Sequence, residues 1–256
     1  MVYDSHLHVG VLSEGIVIHP NEIKSFVCQY GVKGGLIMPT ARVGGDDNLE
    51  LHDLLYGQAL NCGFLIALYL NFDVLKGLKE GEYDVKYPFS AFKIHPEAVD
   101  YSDKDLDDIC TAIGGMKKPL LIHTGGIACA HASRFESIIR KNRQQTFVLC
   151  HGRPSEDAFL LLNKYDNVWV DTAFLSIDKI KTYVSEFNED RILFGSDYPI
   201  NRWFSEHTDD EKWYNKQIKD ISESFPFRVS EKMLCKNFLK LFGNELEYGN
   251  IRKFGS

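Results

Sequence analysis

The sequence predicts an α/β protein folded as a single-domain (β/α)8 TIM barrel, and three observations predict it. Short apolar, β-rich runs recur at roughly regular intervals, each followed by an amphipathic stretch, which is the signature of βα units. Runs such as LLIH, FVLC and ILFG are apolar at successive positions instead of alternating, as expected where both faces of a parallel strand are covered. Strand counting alone leaves a doubly wound open sheet as the alternative. The placement of the ionisable residues decides for closure, because they fall at C-terminal strand ends, and in a barrel those ends converge on one mouth. The length of 256 residues suits one such domain, expected to span 1–256.

In chain order, the expected strands are Tyr3–Val9, Gly35–Pro39, Phe64–Leu70, Phe89–Ile94, Leu120–His123, Phe147–His151, Val168–Asp171 and Ile192–Gly195. Helices are expected between them over Asn21–Tyr30, Leu49–Leu60, Val74–Lys79, Asp103–Gly114, Ser133–Lys141, Ser155–Lys164 and Ile177–Phe187, with a closing helix over Ser230–Phe242. The charged and aromatic stretch from Arg202 to Phe227 reads as a loop and helix covering one end of the barrel. No repeat, low-complexity tract or proline-rich linker divides the chain.

Composition narrows the function classes. A hydrophobic fraction of 44% and a charged fraction of 25% are those of an ordinary globular protein. Lys+Arg 29 against Asp+Glu 36 gives a net charge of −7, so the overall field repels nucleic acid and anionic membranes. A small-molecule substrate is the expected partner, and a homo-oligomer is compatible with the sequence. The six cysteines lack a CxxC pair and read as reduced thiols. The polar N-terminus MVYDSHLHVG has no apolar leader run, and no apolar stretch approaches the ~20 residues of a membrane span, so the expected compartment is the cytoplasm.

The chemistry sits at strand ends. His6 and His8 flank Leu7, and because strand side chains alternate faces, both imidazoles point to one side, as two ligands of one metal require. His123 closes the fifth strand (PLLIHTGG), His151 the sixth (FVLCHGRP), and Asp197 follows the eighth (ILFGSDYP). Buried separately, such groups would each lose solvation; gathered round a cation, they satisfy one another. Arg153 is either a fork for an anionic substrate or half of a surface ion pair, and Arg42, after strand two, is similar. His19, His52, His131 and His207 read as solvated or helix-surface residues, and Trp203 either walls the pocket or merely packs.

Taken together, HLH on strand one, FKIHP on strand four, IHTGG on strand five, CHGRP on strand six, GSDYP on strand eight and the closing segment Asn237–Gly243 resemble the amidohydrolase superfamily over nearly the whole chain. The branch is the amidohydrolase-2 type that includes lactone hydrolases and aminocarboxymuconate-semialdehyde-type decarboxylases. The resemblance implies that His6, His8, His123 and Asp197 bind one divalent metal per chain, zinc first among the expectations, and that Asp197 also handles protons. It makes His151 a nearby electrophile or second ligand. Lys93 is carbamylated and bridges two metals in another branch; here it is either a free ammonium facing a substrate carboxylate or a snorkelling barrel lysine, with His95 two residues on as a supporting group. The implied activity is hydrolysis of an ester, lactone or amide in a small, carboxylated substrate. Nonhydrolytic decarboxylation uses the same residues. A TatD-like phosphoesterase resembles a two-metal design with a carboxylate on strand four, where this chain has Lys93, with Glu97 four residues late.

Overall fold

The computed structural model describes residues 1–13, 16–40, 58–59, 62–80, 89–184, 189–204 and 209–253. Arg42, His52, His207 and most of the expected helix Leu49–Leu60 lie outside them. The strands are β1 (Val2–Ser13), β2 (Ile16–Ile18), β3 (Val32–Pro39), β4 (Leu65–Tyr69), β5 (Ala91–Ile94), β6 (Leu120–His123), β7 (Phe147–Cys150), β8 (Val168–Asp171) and β9 (Ile192–Leu193). They form one sheet in the order β2-β1-β3-β4-β5-β6-β7-β8-β9. Every pairing is parallel except that of β1 with β2, a short hairpin arm added to the expected strands.

The sheet curls until its ends meet. The Ser5 N–H donates to the Phe194 carbonyl (2.9 Å), Asp197 N–H to the His6 carbonyl (2.8 Å) and His8 N–H to the Tyr198 carbonyl (2.8 Å), closing a parallel seam between β1 and the chain leaving β9. The side-chain period of two then sorts the strands into two cores. Residues facing outward, such as Leu120, Ile122, Phe147 and Leu149, pack under the helices. Inward-facing Leu36, Met38, Leu65, Ala67, Ala91, Leu121, Val148, Trp169 and Leu193 fill the barrel. Phe238 and Phe242 join this inner core, with the Phe238 ring stacked on Tyr3 at 5.0 Å. The inward rows continue to Lys93, His123, Cys150 and Asp171 at the other end, which is the mouth.

The helices are α1 (Pro20–Val27), α2 (Phe72–Glu80), α3 (Asp103–Ile113), α4 (Glu136–Lys141), α5 (Ser155–Lys164), α6 (Ile177–Tyr183), α7 (Asp210–Ser224), α8 (Phe227–Glu231) and α9 (Asn237–Lys253). Local signals explain several boundaries. Pro20 opens α1, where its missing N–H costs nothing. Ser102 and Asp105 form a reciprocal capping box on α3. The Asp209 carboxylate accepts the Lys212 N–H at 2.9 Å to start α7, the helix within the stretch expected to cover the barrel end. No helix among the described residues is long and apolar enough to cross a membrane, and all six cysteines are free.

Candidate metal centre

At the mouth, His6 Nε2 lies 3.1 Å from His8 Nε2 and 3.2 Å from Asp197 Oδ1, and His8 Nε2 is 2.9 Å from the same oxygen. The outer nitrogen of each ring fixes its tautomer. His6 Nδ1 is 2.9 Å from Asp171 Oδ2, and His8 Nδ1 is 3.1 Å from the Pro39 carbonyl. Carboxylates and carbonyls accept only, so each Nδ1 carries the proton and each Nε2 presents a lone pair. The 3.1 Å approach of the two Nε2 atoms is therefore not a hydrogen bond but a convergence of acceptors, with a carboxylate oxygen between them. His151 repeats the pattern: its Nδ1 donates to the Ala173 carbonyl at 3.3 Å, and its Nε2, 3.9 Å from Asp197 Oδ2, is buried with no hydrogen-bond partner.

Burial pushes the His6 and His151 imidazoles well below the ordinary histidine value, which keeps them neutral. Burial works against the Asp197 carboxylate, and the charge of Lys93 is among the influences that hold the group below its usual range. Each buried acceptor left unpaired costs ~1–3 kcal/mol, so four together would offset much of a stability of ~5–15 kcal/mol. A proton shared within the group relieves one pair; a cation among His6, His8 and Asp197 would relieve the three that converge there. The donor set of imidazole nitrogens and one carboxylate fits a divalent ion such as zinc.

Backbone conformation aims two of these side chains. His151 follows inward-facing Cys150 and by strand alternation would point outward; a left-handed φ of 66° swings it into the mouth, its ring centroid 5.1 Å from that of His6. Asp197 likewise has a left-handed φ of 63°. Asp171, at the end of β8, was not singled out from the sequence. Besides holding His6, it accepts the His151 N–H (2.9 Å) and the Ala173 N–H (3.1 Å) on Oδ1, so one carboxylate orients two of the site histidines. The signal was present in VWVD, where the acid shares the inward face of Trp169.

The remaining sequence-nominated residues lie outside this cluster. His123 stands beside His151, with ring centroids 4.8 Å apart, but its Nε2 faces Glu97 Oε2 at 3.6 Å. Glu97 returns to this position because the chain after β5 turns back, with the Ala98 and Val99 N–H groups both donating to the His95 carbonyl. Gly125 makes room, since a Cβ there would sit 1.8 Å from Glu97 Oε1. His95 stacks on His123 at 3.8 Å, nearly parallel. Lys93 is 1% exposed, its ammonium donating to Cys150 Sγ at 3.1 Å within the barrel. Arg153 is half-buried, with Nη2 3.4 Å from the Phe174 carbonyl. Trp203 is half-exposed and donates from Nε1 to the Leu12 carbonyl. His19 precedes α1, and His131 Nε2 lies 3.4 Å from the Gly126 carbonyl.

A family model described as amidohydrolase matches residues 71–243. No curated protein matches the sequence. Among solved structures, the chain is similar to an amidohydrolase from Burkholderia multivorans with bound zinc, at 12% identity and a TM-score of 0.69, covering 95% of this chain and 99% of that one. It is also similar to a probable 2-pyrone-4,6-dicarboxylic acid hydrolase from Acinetobacter baumannii with citric acid bound, at 14% identity and a TM-score of 0.63, covering 94% and 99%. A 4-oxalomesaconate hydratase from Rhodopseudomonas palustris gives 14% identity and a TM-score of 0.64 over 100% and 99%. At these identities the likeness is one of fold.

Proposed function

Since the chain belongs to the amidohydrolase family, we propose that it is a metal-dependent hydrolase that cleaves an ester, lactone or amide bond in a small, carboxylated substrate. The observation that supports this reading is the convergence of the His6 and His8 lone pairs on Asp197 Oδ1, all within 3.2 Å in a buried setting. His6, His8 and Asp197 would hold one divalent ion, zinc by preference, with His123 joining them once its Nε2 leaves Glu97. When bound, the ion supplies Lewis acidity, which makes water a competent nucleophile near neutral pH.

The protein's own groups do the rest. Asp197 turns Oδ1 to the cage and Oδ2 toward His151, so Oδ2 is the atom that takes the proton of the attacking water and returns it to the leaving group. His151, with its proton committed to the Ala173 carbonyl, orients that water by accepting a hydrogen bond at Nε2. Once protonated there, it becomes able to donate to a developing oxyanion. Lys93, uncarbamylated and carrying its ammonium charge, attracts a substrate carboxylate from the barrel floor and repels a second cation. Arg153 adds a second positive group at the rim.

Protein prepared without chelators should contain about one divalent ion per chain, and its turnover of a carboxylated ester, lactone or amide should vanish on chelation and return with zinc. A folded sample with no metal, or turnover indifferent to chelation, would overturn the reading. Release of CO2 without water consumption would move the reaction to decarboxylation on the same residues.

A further inference from the structure

The first barrel strand, which forms one side of the seam, is irregular along its other edge, where it pairs with β3. Asp4 pairs with Gly35 and Leu7 with Ile37, so β1 takes one more step than β3 over this stretch, which is a bulge. A Cβ on Gly35 would meet the Asp4 carbonyl oxygen at 2.2 Å, so the bulge requires glycine opposite it. At the bulge, the His6 N–H donates to Asp4 Oδ1 at 3.0 Å. The same oxygen accepts the Ser196 N–H at 3.1 Å, one residue before Asp197. Asp4 Oδ2 accepts the Tyr214 hydroxyl at 2.8 Å, reaching in from α7. Asp4, Ser196 and Tyr214 are all fully buried.

A buried carboxylate met only by neutral donors is costly compared with an apolar residue of its size. What Asp4 contributes in return is geometry, because a single oxygen ties together the two backbones from which His6 and Asp197 project. Tyr214 holds the carboxylate plane from outside; its ring is fixed in turn by Phe26, Tyr30 and Tyr198, at centroid distances of 5.5, 5.4 and 5.8 Å. We infer that Asp4 and Tyr214 are positioning residues that set the spacing of His6 and Asp197 across the barrel seam, an inference that rests on reading those two residues as metal ligands. Neither touches the cage, and both act through the backbone that carries it.

The test compares full-length wild type with Tyr214→Phe, Asp4→Asn and Asp4→Ala. Zinc affinity is measured against a competing chelator, the coordination geometry by the visible absorption of the Co2+-loaded protein, and the fold by circular dichroism and thermal unfolding of the metal-free form. Tyr214→Phe keeps the ring and removes only the hydroxyl; it should retain the fold, lose about 10-fold in zinc affinity, and alter the cobalt bands, as is usual when an outer partner of a ligand is removed. Asp4→Ala should lose more. Asp4→Asn should recover most of that loss, since its amide oxygen still accepts both backbone N–H groups. Wild-type zinc affinity and cobalt spectrum in Tyr214→Phe, even with a lowered unfolding temperature, would make the pair a structural staple only and overturn the inference; this variant decides if Asp4→Ala fails to fold. If wild type itself takes up neither zinc nor cobalt, the metal reading fails first and this inference with it.

Discussion

On the seam side of the mouth, the inner atoms of His6, His8 and Asp197 are all acceptors, and they face one another. Their outer atoms are occupied, by Asp171 for His6 and by the Pro39 carbonyl for His8, so the inner lone pairs have a single direction. On the opposite side, His95 stacks on His123 with its own Nδ1 buried and unpartnered, His123 Nε2 faces Glu97, and the group is wetter: the His123 and Glu97 side chains are 16% and 27% exposed. The first arrangement could hold a cation without moving its side chains. In the second, His123 already faces Glu97, so it has to exchange a partner to become a ligand. Substitutions on the seam side should therefore weigh more heavily than those opposite.

The largest effect is expected from Asp197→Asn. Asparagine tolerates the left-handed backbone and preserves shape, so turnover should fall by about 10²-fold or more while the protein stays folded, the loss typical of a missing general base. Near-normal kcat at normal metal content would transfer the proton to His151. Next comes Asp171→Asn. Both Asp171 oxygens accept, so an amide nitrogen must face a donor on either His6 or the His151 backbone, and zinc affinity in a chelator competition should drop by about 10–100-fold. An unchanged affinity would show that packing alone holds the His6 ring.

Lys93→Met should act on substrate and not on metal. It keeps the length and removes the charge, and KM for carboxylated substrates should rise about tenfold, the scale of a lost charge-assisted contact, with metal content still about one per chain. A crystal structure with carboxylated Lys93 bridging two ions would end the mononuclear reading. Smallest is Glu97→Gln, which removes the carboxylate charge facing His123 at 3.6 Å across a partly buried contact; zinc affinity should rise by less than about fivefold. A fall instead would make Glu97 part of the site.

The parts of the molecule that were legible in the sequence are those set by short-range periodicity. LLIH and VWVD are strands at the expected residues because a parallel strand covered on both faces must be apolar throughout. His6 and His8 share a face for the same elementary reason. The three-residue β2 has too short a pattern to register. Asp171 was missed because a lone acid at a strand end has no spacing partner, although its inward position matched that of Lys93 and His123. His151 and Asp197 are aimed by left-handed residues, and Glu97 by a turn that folds back over β6. None of these depends on local pattern; each depends on what the rest of the barrel holds in place.

The seam bonds also set an order of events in the life of the chain. Ser5 reaches Phe194 across 189 positions, and Asp4 reaches Tyr214 across 210. At synthesis rates of ~5–20 residues per second, roughly 10–40 s separate the making of His6 from that of Asp197. Throughout that interval the growing polypeptide has an HxH pair but no cage. Read as a metal cage, the site is complete only after β9 has docked, so an ion would meet its full set of ligands late in the making of the chain.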